Sequence, residues 1–312
     1  MSIGSGKIPL IQALPWFSPG SSSNRVETEN FILVTDSVDT DGRFLLYAQA
    51  CQTLLLFQKV KQAVDMESSP SVLWLSCGVL NESLVASSLR RMGCEAASNY
   101  IREPKDTHLW KGPLSIHSIM TELAKEEQDT SDGRNETYFK NLYKRIKSWS
   151  AEFCNMAVIL PLIVIDDASA LGNMFGERLT YFFLSYVRSI PRTNIIVRCS
   201  NDIDKEIFVE QDLPAVHPSR KVDWFGAGGE RRESHQLSPC KAIWERTLIE
   251  LANWVVDVVP LASGYSKEAH GRIIVSAIPS SEPSLVMNYC LHDTSVSAIR
   301  LKESNKRGNE II

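Results

Sequence analysis

Short uninterrupted apolar runs recur along this chain, each followed by a segment of helical periodicity, and that alternation leaves few architectures open. The clearest run is LIVIDD at 162–167, and FILVT at 31–35, VLWLS at 72–76 and NIIVRC at 194–199 are of the same kind. Such runs are too short for helices, and their apolar composition predicts strands covered on both faces, as in a parallel sheet. Between them, residues 43–61, 82–92, 136–153 and 175–189 combine good helix formers with an apolar face and predict helices. Pro191 terminates the last of these. Further on, a helix is expected around 240–253, opened by Pro239, followed by strand-rich WVVDVVPL, GRIIVSAI and LVMNYCLHDTSVSAIRL. The expected fold is α/β: a three-layer sandwich with a mostly parallel central sheet and antiparallel late strands.

A chain of 312 residues with 44% hydrophobic content can bury roughly 75% of its extended-chain surface, so a substantial core is available. No linker isolates a second core, and one domain is expected over residues 27–303. Residues 1–26 read as a flexible or peripheral lead-in, and 304–312 as a polar tail. Long connections are expected near 102–135, with a short helical element, and near 200–239. With 33 Lys/Arg against 37 Asp/Glu, the formal charge of -4 argues against a globally cationic nucleic-acid clamp. The seven cysteines are widely spaced without a CxxC pair, which suits reduced interior thiols. The six histidines form no HExxH and no compact Cys/His array, so no metal site is expected. The N-terminal residues lack the pattern of a signal peptide, and no apolar stretch reaches the length of a membrane span; an Asn135-Glu136-Thr137 sequon is therefore read as incidental.

Chemistry is best sought in DSVDTDGRF at 36–44, between the first strand and its helix, where a phosphate-binding loop would lie. Aligned with GxxxxGK[ST], Ser37 stands at the first glycine, Gly42 keeps the second, Arg43 replaces lysine and Phe44 replaces the magnesium-binding hydroxyl. Asp36, Asp39 and Asp41 would place negative charge where a triphosphate needs positive charge. Asp166 and Asp167 end a strand where a phosphate-loop ATPase carries its metal-coordinating acid, but such acids equally cap helices and accept backbone N–H groups. Read as strand neighbours, they point to opposite faces and make no glycosidase pair. No GxGxxG, no GxSxG and no local Cys/His pairing is present. No catalytic residue and no cofactor is assigned.

In their order, FILVTDSVDTDGRFLL, VLWLSCGVLNESLVASSLRRMGCE, LIVIDDASAL and the late VVDVVPLASGYSKEAHGRIIVSAI with VMNYCLHDTSVSAIRL resemble the family of the sixth Elongator subunit, Elongator complex protein 6, over residues 27–303. The resemblance implies a RecA-like fold with degenerate nucleotide-binding motifs. It also implies a noncatalytic place in a heterohexameric ring with Elongator subunits 4 and 5, attached to the larger complex, binding tRNA and supporting wobble-uridine modification. Cytoplasmic residence, with the nucleus as a second compartment, goes with that reading. The loops that could carry RNA contacts include Arg220, Lys221, Arg231 and Arg232, although residues 200–239 hold eight acids against five Lys/Arg. Two alternatives remain beside it: an ATPase with weak residual turnover, and a soluble protein-interaction adaptor.

Overall fold

In the computed structural model, residues 8–17, 29–37, 39–63, 72–78, 82–94, 113–125, 134–151, 160–200, 247–261, 264, 266–280 and 283–300 are described. The apolar runs become strands: β2 (Phe31–Asp36), β3 (Val72–Ser76), β5 (Leu162–Ile165) and β6 (Asn194–Ser200). They belong to one ten-stranded sheet whose order is β1-β10-β9-β8-β7-β2-β6-β5-β3-β4. From β7 (Trp254–Val259) through β2 to β4 (Leu114–Ser118) every pairing is parallel. Beyond β7, the strands β8 (Gly271–Ala277), β9 (Pro283–Leu291), β10 (Val296–Arg300) and β1 (Ile8–Pro9) pair antiparallel.

Alternate side chains of each parallel strand serve opposite faces, which is why these strands are apolar without interruption. Ile32, Val34, Val72, Trp74, Leu162 and Val164 join one cluster with α2 (Arg43–Ala63) and α3 (Glu82–Arg91). Phe31, Leu33, Leu73, Leu75, Ile163 and Ile165 join the other, with α5 (Arg134–Ala151), α6 (Ala168–Phe175) and α7 (Glu177–Arg188). Helices on both sides of a sheet make the α/β sandwich. The first cluster continues under the antiparallel strands, where it takes in Ile273, Val275 and Met287 together with Leu10 and Leu14. Those two leucines belong to residues 8–17, where a four-residue α1 (Leu10–Ala13) follows β1.

Two elements differ from expectation. The connection at 102–135 contains the edge strand β4 and α4 (Ile119–Lys125). All five residues of β4 are buried, Ser115 and His117 included, so its LSIHS sequence lacks the apolar signal of its neighbours. Strand β5 stops at Ile165 instead of running on through two acids, because Asp167 caps α6: its side chain accepts the Ala170 N–H at 3.0 Å. Helix α6 passes directly into α7 at Gly176, whose φ of 85° is readily available only without a Cβ. Residues 247–251 are helical, within the span expected around 240–253. No described helix is long and apolar enough to cross a membrane.

Candidate functional site

The chain leaves β2 for β3 on one flank and leaves β6 for β7 on the other, so the carboxyl ends of these adjacent strands form a topological switch point. Ligands of open α/β sheets bind at such places. Here the position is occupied by the protein itself. Asp36, the last residue of β2, is 2% exposed, and its Oδ2 accepts the Gly42 N–H at 2.6 Å and the Arg198 Nε–H at 2.6 Å. The next amide, Arg43 N–H, donates to Asp41 Oδ1 at 3.0 Å. Both amides at the start of α2 are thus taken by carboxylates of the preceding loop, where a phosphate loop would aim them at its ligand.

Arg198 comes from the β6 run, where a lone cation among apolar residues demands partners. Besides Asp36, its Nη1 donates to the Asp166 carbonyl at 3.3 Å and lies 3.7 Å from Asp167 Oδ2, while its Nε lies 4.0 Å from Asp41 Oδ1. One buried guanidinium therefore joins the ends of β2, β5 and β6. Burial pushes the Asp36 carboxyl above the ordinary aspartate value, against the pull of Arg198 and the Gly42 N–H. Its Oδ1 is buried and has no hydrogen-bond partner among the described residues.

Ser37, Thr40, Gly42, Arg43 and Phe44 have structural duties. Ser37 and Thr40 close a tight bridge, in which the Thr40 N–H donates to the Ser37 carbonyl at 2.9 Å, and Thr40 Oγ1 donates to the Val258 carbonyl of β7 at 2.9 Å. Thr35 Oγ1 reaches Asp257 Oδ1 across the same strand pair. Gly42 has no room for a side chain: a Cβ would lie 2.9 Å from Val34 Cγ1 and 3.2 Å from Asp36 Oδ2. The Arg43 guanidinium turns to Asp41, 3.5 Å away and largely exposed, and Phe44 stacks on Tyr289 of β9 with ring centroids 4.6 Å apart. Asp166 is spent on the Cys77 N–H, at 2.7 Å, and on Trp74 Nε1–H, at 3.4 Å. Burial pushes its carboxyl upward as well.

Of the sequence candidates, then, Ser37, Gly42, Arg43, Phe44, Asp166 and Asp167 gather around one switch point. Arg220, Lys221, Arg231 and Arg232 lie outside the described residues. Arg198 and Asp257 were not singled out by sequence reasoning, although a charged residue inside each of two apolar runs was the available signal. Among the described residues no His, Cys, Asp and Glu side chains group so as to hold a metal ion. The described cysteines Cys51, Cys77, Cys94, Cys199 and Cys290 are buried thiols.

A second ionic cluster fastens β4 and α4 to α5. Glu122 Oε2 lies 2.8 Å from His117 Nε2 and accepts the Tyr138 hydroxyl at 2.9 Å, while its Oε1 accepts from Arg145 at 2.6 Å. Burial favours the neutral acid, but His117 first, then Arg145 and Tyr138, outweigh it and hold the carboxyl down to about 2. A carboxyl depressed on folding stabilises above its unfolded value and loses that contribution as pH falls through its folded one. The stability difference between the native chain and Glu122→Gln is therefore expected to shrink by about 2–3 kcal/mol between about pH 6 and about pH 2.5. Urea denaturation of both proteins at the two pH values measures it, and a difference independent of pH would contradict the ionic reading.

Compared with known proteins, the chain is matched by no family model and by no curated protein.

Proposed function

We propose that this chain is a noncatalytic subunit of the Elongator accessory ring, with a RecA-like fold whose phosphate loop has become a structural corner. The observation that carries the proposal is the closure of the loop at 36–42: it keeps the position and the second glycine of a phosphate loop, while Asp36 and Asp41 accept the amides a nucleotide would need. The parallel order β7-β2-β6-β5-β3 supports the same reading, since it sets the loop strand β2 centrally and β5, which two acids follow, in the same half of the sheet, separated by one strand. The segments that resemble the sixth Elongator subunit coincide with β2 and α2, β3 and α3, β5 and α6, and β7 to β10. In this role the chain supplies shape and surface to a ring with subunits 4 and 5, and tRNA is held by local cations of several protomers together. Its formal charge of -4 accords with shared contacts and not with strong RNA affinity of the single chain.

The test is assembly. Coexpression with the fourth and fifth Elongator subunits is expected to give a complex whose mass fits two copies of each, and omission of this chain is expected to weaken tRNA binding by that assembly. A monomeric chain beside a complete ring of the other two would sink the assignment. Stable incorporation with no change in tRNA binding would favour the adaptor reading instead. Magnesium-dependent ATP hydrolysis by the isolated chain would show the loop to be open.

A further inference from the structure

Helices α5 and α7 pack side by side on one face of the sheet, and above their contact lies a groove of about 720 Å³. Its floor is aromatic: Phe139 and Phe183 stack at 4.6 Å, and Phe175 joins them from the corner at Gly176. Its lip is not covered. Phe182 is 44% exposed and Tyr186 59% exposed, and Tyr143 leans on Tyr186 at 5.6 Å. Large aromatics left in water along a concave apolar surface mark a binding site more often than an accident of packing.

The charge around this groove runs against that of the chain. The charged residues that line it are Lys140, Lys144 and Arg178 against Glu136, in a protein whose formal charge is -4. Lys144 and Arg178 stand at the groove, and the Arg178 guanidinium lies 5.7 Å above the Phe182 ring. Lys140 is paired with Glu136 at 2.7 Å, one turn away. An aromatic trough flanked by Lys144 and Arg178 suits a helix that is apolar on one side and acidic on its flanks.

We infer that the α5–α7 groove docks an acidic amphipathic helix of a partner protein, with its apolar side chains seated against Phe182 and Tyr186 and its carboxylates facing Lys144 and Arg178. Nucleic acid fits less well. The two rings that stack face to face, Phe139 and Phe183, are buried and offer no face to a base. The inference rests on the groove alone and does not depend on the ring assignment.

Fluorescence polarisation with the full chain tests it. The probe is a labelled helical peptide of about 16 residues with leucines at i, i+4, i+7 and i+11 and glutamate on its flanks. A matched peptide with lysine in place of glutamate and a labelled uridine dodecamer serve as comparisons. The acidic peptide is expected to bind at least about tenfold more tightly than the basic one, and Phe182→Ala with Tyr186→Ala to weaken it by about tenfold. Both side chains are exposed, so circular dichroism and thermal melting of that variant should match the native chain. Lys144→Glu with Arg178→Glu should reverse the preference between the two peptides. Equal binding of both peptides, binding of neither, unchanged affinity in the aromatic variant, or oligonucleotide binding lost in that variant would each overturn the proposal.

Discussion

Arg198→Ala is expected to destabilise the domain by about 3–5 kcal/mol, a large share of the roughly 5–15 kcal/mol that holds a typical domain folded. The cost arises from what is left behind. Asp36 would remain buried with one oxygen on the Gly42 N–H and the other without a hydrogen-bond partner among the described residues. Asp41, Asp167 and the Asp166 carbonyl would lose the same cation. Lysine is a poor substitute, because a single ammonium cannot reach the β2 carboxylate and the β5 carbonyl together in the way a planar guanidinium does. Removing the anion should relieve the damage: Asp36→Asn in the Arg198→Ala background keeps an acceptor for Gly42 while deleting the stranded charge. A double-mutant cycle by urea denaturation near neutral pH is expected to give a coupling of about 1–3 kcal/mol between the two residues. A single-mutant cost below about 1 kcal/mol would mean that the guanidinium is solvated and the loop is not held by it.

Much of this site was legible in the sequence, and its limits have physical causes. The loop at 36–44 drew attention because Asp-rich sequence lay where a phosphate loop would be, and α2 does start at Arg43. Its partner Arg198 lies 162 residues further on, and only the pairing of β2 with β6 brings the two together. Residues buried on both faces, as in β2, β3, β5 and β6, announce themselves by composition alone. Strand β4 does not: His117 is tolerated in the interior because Glu122 lies 2.8 Å away, a compensation that no local pattern displays. Strand β1 is harder still, since Ile8 and Pro9 pair with Ala298 and Ser297 from the other end of the chain. The exposed aromatics of α7 read in sequence as ordinary helix-face residues; that they line a groove beside α5 is visible only once the two helices are packed.

Rebuilding the phosphate-loop consensus with Ser37→Gly, Arg43→Lys and Phe44→Thr is expected to give a less stable protein that still does not bind magnesium ATP. Phe44 is part of the joint between the parallel and antiparallel halves of the sheet. Its ring stacks on Tyr289, and Tyr289 in turn lies over Gly271, where a Cβ would come within 2.6 Å of the tyrosine ring. Shortening Phe44 to threonine removes that stack and leaves a gap beside a buried tyrosine, at a cost of about 2–3 kcal/mol for a partly buried ring. Nothing is gained at the loop in return. Asp36 still accepts the Gly42 amide, Arg198 is still occupied by Asp36, and Asp166 and Asp167 still serve the Cys77 and Ala170 amides. A fourth substitution, Asp36→Ala, is the one that frees both the amide and the guanidinium, so any anion affinity should appear only when it is added. Thermal melting with and without magnesium ATP separates these cases, because a ligand that binds only the folded state raises the midpoint by an amount that grows with the logarithm of its concentration relative to Kd. A nucleotide-dependent rise already in the triple variant would show that Asp36 does not close the loop, and the structural-corner reading of this site would fall with it.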